Sequence, residues 1–207
     1  MTNPICIHHG NCPDGFTAGW VVKRALGDIE LFAATHGEPP PDVTGRAVIM
    51  VDFSYKRPVL EAMLAQCESM VILDHHKTAE ADLSSISDPK LRVVFDMERS
   101  GARIAWDYFH PKEAAPNLVL YVEDRDLWRF KLPESKAVSS LIMSYPYTLE
   151  HWDTLRDFMQ NGRDLSMLVA EGHAIERKHD KDIRELIAFL KRRMTIGGHD
   201  VPVANLP

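Results

Sequence analysis

Three short apolar runs early in the chain each end in a residue able to bind a metal, and this recurrence constrains the fold more than any other feature. Ile5-Cys6-Ile7 runs into His8, Ala47-Val48-Ile49-Met50-Val51 into Asp52, and Met70-Val71-Ile72-Leu73 into Asp74-His75-His76. Helical patterns over residues 16–26 and 57–66 follow the first two. Strands that are apolar throughout are buried on both faces, and parallel strands need crossover connections. The pattern therefore predicts an α/β fold, a doubly wound and mainly parallel sheet with flanking helices. Ligands of such sheets bind beyond the carboxyl ends of the strands, which is where these histidines and aspartates fall.

Residues 92–95 read as a further strand and residues 100–109 as a helix opened by Ser100-Gly101. Residues 118–122 fit a helix or a strand and lead into the acidic cluster Glu123-Asp124-Arg125-Asp126. From about residue 149 the texture changes to amphipathic helix, most plainly over 165–194, followed by a hairpin pattern around Gly197-Gly198. The expected organisation is a metal-binding α/β domain over 1–148 and a helical arm or linker over 149–194. Residues 195–207 read as the start of a missing C-terminal domain.

Composition removes several classes of function. Apolar residues make up 45% of the 207, yet no run approaches the ~20 needed to cross a membrane. The N-terminus has no basic segment ahead of an apolar stretch, so the expected location is cytoplasmic. Cys6, Cys12 and Cys67 are an odd number without paired zinc-knuckle spacing and are expected as free thiols. A formal charge of −6 argues against a broad basic face for duplex nucleic acid and leaves room for a short phosphorylated substrate.

Taken alone, Asp74-His75-His76 reads more simply as a surface turn with Asp74 as a helix cap, and Asp52 as a cap for the helix near Arg57. Several such clusters at strand ends change that balance. A binuclear centre needs oxygen and nitrogen ligands converging from several loops, with one carboxylate spanning cations roughly 3.5–4 Å apart.

Four motifs in order, His8-His9-Gly10-Asn11-Cys12-Pro13-Asp14-Gly15, Val51-Asp52, Asp74-His75-His76 and the aspartates Asp124 and Asp126, resemble the DHH phosphoesterase superfamily. The likeness covers roughly residues 5–130 and is to the oligoribonuclease-like branch, in its N-terminal DHH domain. It implies one metal on His8 and Asp52 and a second on Asp14, Asp52, His75 and Asp124, with Asp52 bridging. Asp126 then caps the following segment or holds a ligand in place. Cys12 stands where the family has an aspartate. Either it ligates and gives the first position a softer preference, or that position is weakened or completed by Asn11 or His9; as a free cysteine it also fits as a small buried residue. The resemblance makes His76 the substrate-facing histidine and Asp74 the carboxylate that orients a histidine. Manganese is the implied ion, and the oxygen- and imidazole-rich set suits it, with magnesium, cobalt and zinc also admitted.

Arg99 is a weak candidate for binding phosphate. Trp128 and Phe130, beside Arg125 and Arg129, suit either core packing or stacking on bases. Lys191-Arg192-Arg193 is placed to touch a substrate tail. The resulting expectation is hydrolysis of short oligonucleotides or nucleotide phosphodiesters. A polyphosphate or pyrophosphate hydrolase and a non-catalytic nucleotide-binding module are the alternatives, and the arm suits a homodimer.

Overall fold

The computed structural model describes residues 3–160, 165–190 and 192–204. Five strands, β1 (Ile5–His9), β2 (Glu30–Ala34), β3 (Ala47–Val51), β4 (Ser69–Asp74) and β5 (Leu91–Phe95), form one sheet in the order β2-β1-β3-β4-β5. Every pairing is parallel. The doubly wound α/β reading of the sequence is therefore the observed fold, with β1 and β3 flanking the switch point where the winding reverses.

Strand alternation splits the core in two. Cys6, Ile49, Val51 and Leu73 face one layer, with Phe16, Trp20 and Val21 of α1 (Pro13–Leu26) and Ala102, Ile104 and Ala105 of α4 (Gly101–Phe109). Ile5, Ile7, Val48, Met50 and Ile72 face the other, under Leu60, Met63 and Leu64 of α2 (Arg57–Gln66) and Leu83 of α3 (Lys77–Leu83). Helix α5 (Asn117–Asp126) and α6 (Ser135–Ser144) continue the first layer through Leu118, Val122, Val138 and Ile142. Residues 118–122, which fit a helix or a strand, are thus helical.

Helix α7 (Leu149–Gln160) departs from the expected arm. Trp152, Leu155 and Met159 are buried in the first core layer, and the Trp152 indole donates to Thr17 Oγ1 at 2.8 Å. The packed domain therefore runs past residue 148. Helix α8 (Leu165–Leu190) ends earlier than the sequence pattern indicates, and β6 (Arg192–Ile196) forms an antiparallel hairpin with β7 (His199–Val203) around Gly197-Gly198. Of the basic cluster, Lys191 lies outside the described residues, while Arg193 pairs with Asp200 across the hairpin at 2.6 Å. Residues 205–207 also lie outside them.

Helix α8 docks on α6 through Gly172, the one residue of the helix that is buried. A Cβ there would stand 2.1 Å from the Ala137 carbonyl oxygen, so the two helices touch backbone to backbone. At an exposed helix position, glycine to alanine stabilises by about 1 kcal/mol. At Gly172 the sign reverses, and Gly172→Ala should cost about 1–3 kcal/mol through overpacking. The check is a thermal melt: a Tm several degrees below the parent is expected, and an unchanged or higher Tm would contradict the packing described.

Candidate metal centre

The site lies at the carboxyl ends of β1, β3 and β4. At the end of β1, alternation decides which histidine reaches it. His8 shares the face of Cys6, lies edge-on to Phe16 and against Gly19 of α1, and engages its Nδ1 with the His9 carbonyl at 3.0 Å. Burial lowers its pKa, as expected for an imidazole held neutral in a core. His9, on the opposite face, brings Nδ1 to 3.6 Å from Asp52 Oδ2. His8, expected as a ligand, is therefore turned into the α1 layer, and His9 takes its place at the cluster.

Asp52 is the hub. It follows β3 with φ 52°, a left-handed backbone that is uncommon outside glycine and characteristic of residues held for function. Its amide donates to the Leu73 carbonyl at 3.0 Å, which extends the β3–β4 ladder by one step and fixes the turn. The two carboxylate oxygens face different partners. Oδ2 meets His9 Nδ1 and accepts from Cys12 Sγ, each at 3.6 Å. Oδ1 lies 3.1 Å from His75 Nε2.

Around that same imidazole nitrogen stand two more carboxylates, Asp14 Oδ2 at 3.8 Å and Asp126 Oδ2 at 3.6 Å. Bonds of about 2.0–2.3 Å to one ion place neighbouring donors roughly 3–4 Å apart, and the contacts of His9 and Cys12 with Asp52 and of Asp14 and Asp126 with His75 fall in that range. His9, Cys12 and Asp52 form one set; Asp14, His75 and Asp126 form another beside Asp52.

Asp14 is held from behind. Its oxygens accept from the amides of Gly101 at 2.6 Å and Ala102 at 3.0 Å, the first turn of α4, where free N–H groups favour negative charge. Residue 101 has to be glycine, since a Cβ there would lie 2.4 Å from the Asp52 Cβ and 3.0 Å from Asp14 Oδ2.

Asp124 does not join the cluster. It accepts from the amides of Lys131 at 2.9 Å and Leu132 at 3.1 Å, and so anchors the loop after α5. A helix turns about 100° per residue, which sends positions 124 and 126 to opposite sides. Asp126 reaches His75 and Asp124 caps the loop, the reverse of the roles expected from the sequence.

Asp74 is fully buried and its oxygens are in use. Oδ1 accepts from the His75 amide at 2.7 Å and meets His76 Nδ1 at 2.6 Å, and Oδ2 accepts from Ser54 Oγ at 2.7 Å. It orients His76, whose ring is half-exposed beside His9 and His75.

Charge in the cluster is unbalanced. Burial and the neighbouring Asp52 and Asp126 push Asp14 well above the usual carboxylate range, and burial with Asp52 also raises Asp126. Burial alone would raise Asp52, but hydrogen bonds from His75 and His9 more than offset it and hold its pKa at about 2. Burial and the same carboxylate push the Cys12 thiol up to about 12. The hydrogen bond to Asp52 raises His9; at His75, burial is overcome by Asp52 and the surrounding carboxylates, and the pKa again rises. Carboxylates crowded until protons are retained fit a cation among them.

The remaining candidates lie elsewhere. Arg99 is spent on ion pairs with Asp96 at 2.8 Å and Asp107 at 2.9 Å. Trp128 is 74% exposed at φ 55°, edge-on to Phe130, and so is not a core aromatic. His36, Ser54, Tyr55 and Lys56 line a small cavity with Asp74 and His76 and were not anticipated. His36 stacks on Phe53 4.6 Å away and lies beside His9, and no short motif announces it.

No family model matches the chain. An uncharacterized protein of Acanthamoeba polyphaga mimivirus, R106, is 29% identical over 170 residues, which cover 72% of this chain and 39% of that protein. Among solved structures, an uncharacterized protein from Helicobacter pylori G27 superposes with TM-score 0.61 at 12% identity, covering 85% of this chain and 63% of its own. A DHH domain from a protein described as a member of a family of ribosomal proteins superposes with TM-score 0.59 at 14% identity, covering 98% of this chain and 63% of that one. The chain thus spans less than two thirds of the length of each of these proteins, and its fold is that of a DHH domain.

Proposed function

We propose that the chain is a DHH-type, metal-dependent phosphoesterase that hydrolyses short oligonucleotides or nucleotide phosphodiesters. The observation that carries this reading is the division of Asp52, with Oδ2 facing His9 and Cys12 and Oδ1 facing His75. A carboxylate whose two oxygens serve two separate donor sets is placed to bridge two cations. His9, Cys12 and Asp52 would hold one; Asp14, Asp52, His75 and Asp126 would hold the other. Manganese suits the second, all-oxygen-and-imidazole set, and the Cys12 thiol makes the first set softer. Bound divalent ions activate water at neutral pH and offset the charge that develops on a phosphoryl group.

The chain's own residues supply the rest. Asp74, with both oxygens engaged, fixes the His76 proton on Nδ1 and leaves the other ring nitrogen, Nε2, to meet substrate. The hydrogen bond to Asp74 raises the His76 pKa above that of a free imidazole, which suits the ring to protonate a departing oxygen. Trp128, exposed two residues beyond Asp126, offers a face on which a base can stack.

A short labelled RNA incubated with the purified chain and manganese should release mononucleotides, while Asp52→Ala should lower the rate by at least about a hundredfold. Cleavage of polyphosphate but not RNA would move the assignment to anhydrides. No turnover of either would overturn the enzyme reading.

A pH dependence follows from the histidines. The surrounding carboxylates raise the pKa of His9 and His75 above the ordinary imidazole value, so an ion held by these rings competes with protons as pH falls. Manganese affinity should therefore weaken as pH falls from about 8 to 6, by up to about tenfold per pH unit for each proton displaced. Titration of bound manganese across that range is the check, and a flat profile would exclude the two imidazoles as ligands.

A further inference from the structure

The two donor sets that meet at Asp52 differ in chemistry, and the difference is one sulfur atom. Beside Oδ1 stand His75 and the carboxylates of Asp14 and Asp126, whereas beside Oδ2 stand His9 Nδ1 and Cys12 Sγ, each 3.6 Å away. Local structure brings the sulfur there. Between β1 and α1, Asn11 takes a left-handed backbone with φ 52°, and this turn returns Cys12 to the end of the strand that carries His9. Cys12 is then the N-cap residue of α1, and the first-turn amides of Asp14 and Gly15 lie close enough to its sulfur to favour the anion. The other two thiols are remote from the centre. Cys6 is buried in the α1 layer and Cys67 at the end of α2, while Cys12 and His9 are only partly buried, which leaves an ion an approach to them.

The spacing on the Oδ2 side suits a small tetrahedral ion. Bonds of about 2.3 Å to sulfur and 2.0–2.2 Å to oxygen set the two ligand atoms roughly 3.6 Å apart at a tetrahedral angle. The distance from Cys12 Sγ to Asp52 Oδ2 is 3.6 Å. The thiol donates to that oxygen, and an ion bound there takes the place of the proton, which leaves to solvent.

We propose that the centre is selective between its two positions and is filled as a mixed-metal pair. The position at His9, Cys12 and Asp52 prefers a thiolate-binding divalent ion of the zinc, cobalt or ferrous class, and the position at Asp14, Asp52, His75 and Asp126 takes manganese. Thiolate ligands select softer ions, whereas a set made mainly of carboxylates suits manganese. Manganese supplied alone and in excess still fills both positions, so the selection shows only when ions compete. The inference rests on the binuclear part of the phosphoesterase reading and is independent of the substrate.

Cobalt is the probe, because a cobalt–thiolate bond gives an intense near-ultraviolet charge-transfer band that oxygen and nitrogen ligands do not. The chelator-treated full chain, free of thiol reductants, is titrated with cobalt in the presence of manganese, and bound ions are counted after desalting. One cobalt with the band is expected beside one manganese, with cobalt preferred at its position by at least about tenfold. Cys12→Ser, which changes a single atom, should lose the band while keeping manganese at the other position, which shows that the variant is folded. Cys12→Asp should lose the preference as well and bind manganese at both positions. Cys67→Ala, which removes a thiol far from the centre, should leave the band unchanged. Absence of the band in the parent, its survival in Cys12→Ser, an equal loss in Cys67→Ala, or even competition between cobalt and manganese overturns the mixed pair. A chain that binds no ion overturns both this inference and the phosphoesterase reading. Manganese-dependent cleavage of RNA without cobalt selectivity would overturn the mixed pair alone, and cobalt selectivity without cleavage of RNA or polyphosphate would overturn the enzyme reading alone.

Discussion

Three carboxylates, Asp14, Asp52 and Asp126, converge on the single nitrogen His75 Nε2, and much of the surrounding structure serves to hold them there. Like charges brought together away from water repel one another, and desolvation adds to that cost. The fold meets the cost locally. The first-turn amides of α4 hold Asp14, His9 and His75 contact Asp52, and Gly101 lets α4 approach Asp52 more closely than any side chain would permit. The left-handed backbone at Asp52 belongs to the same compromise, a sparsely populated conformation at the residue that both donor sets contact.

The position of the cluster follows from topology. In the order β2-β1-β3-β4-β5 the winding reverses between β1 and β3, and the loops leaving those two strands diverge to opposite layers. His9 and Cys12 leave β1 toward α1, Asp52 leaves β3 toward α2, and Asp74-His75-His76 leave β4 toward α3. The crevice between them receives donors from each. Helices α4 and α5, packed in the first core layer, close it with the Gly101 amide and the Asp126 carboxylate.

Much of this was legible in the sequence because buried parallel strands carry a strong signal, a continuous apolar run that stops at a polar residue. Strands β1, β3 and β4 and the positions of Asp52 and Asp74-His75-His76 follow from it directly. Strand β2, Glu30-Leu31-Phe32-Ala33-Ala34, escaped because it lies at the sheet edge, and α3 because seven residues show little periodicity. At the site, the structure differs from the expectation in which side chains face the cluster. His8 and His9 are neighbours on a strand, so a shift of one residue exchanges core for site. Asp124 and Asp126 would share a face on a strand but oppose each other on the helix that forms there. The cavity around Tyr55 and His36 has no linear signature, since it joins residues from separate loops.

The account depends most on Asp52 bridging two ions, and electron paramagnetic resonance of the manganese-loaded chain addresses that directly. Two ions per chain with an exchange-coupled signal, replaced in Asp52→Ala by the hyperfine pattern of an isolated ion or by no bound ion, is the predicted result. A single isolated-ion signal from the parent chain, or two ions that remain uncoupled, would contradict it.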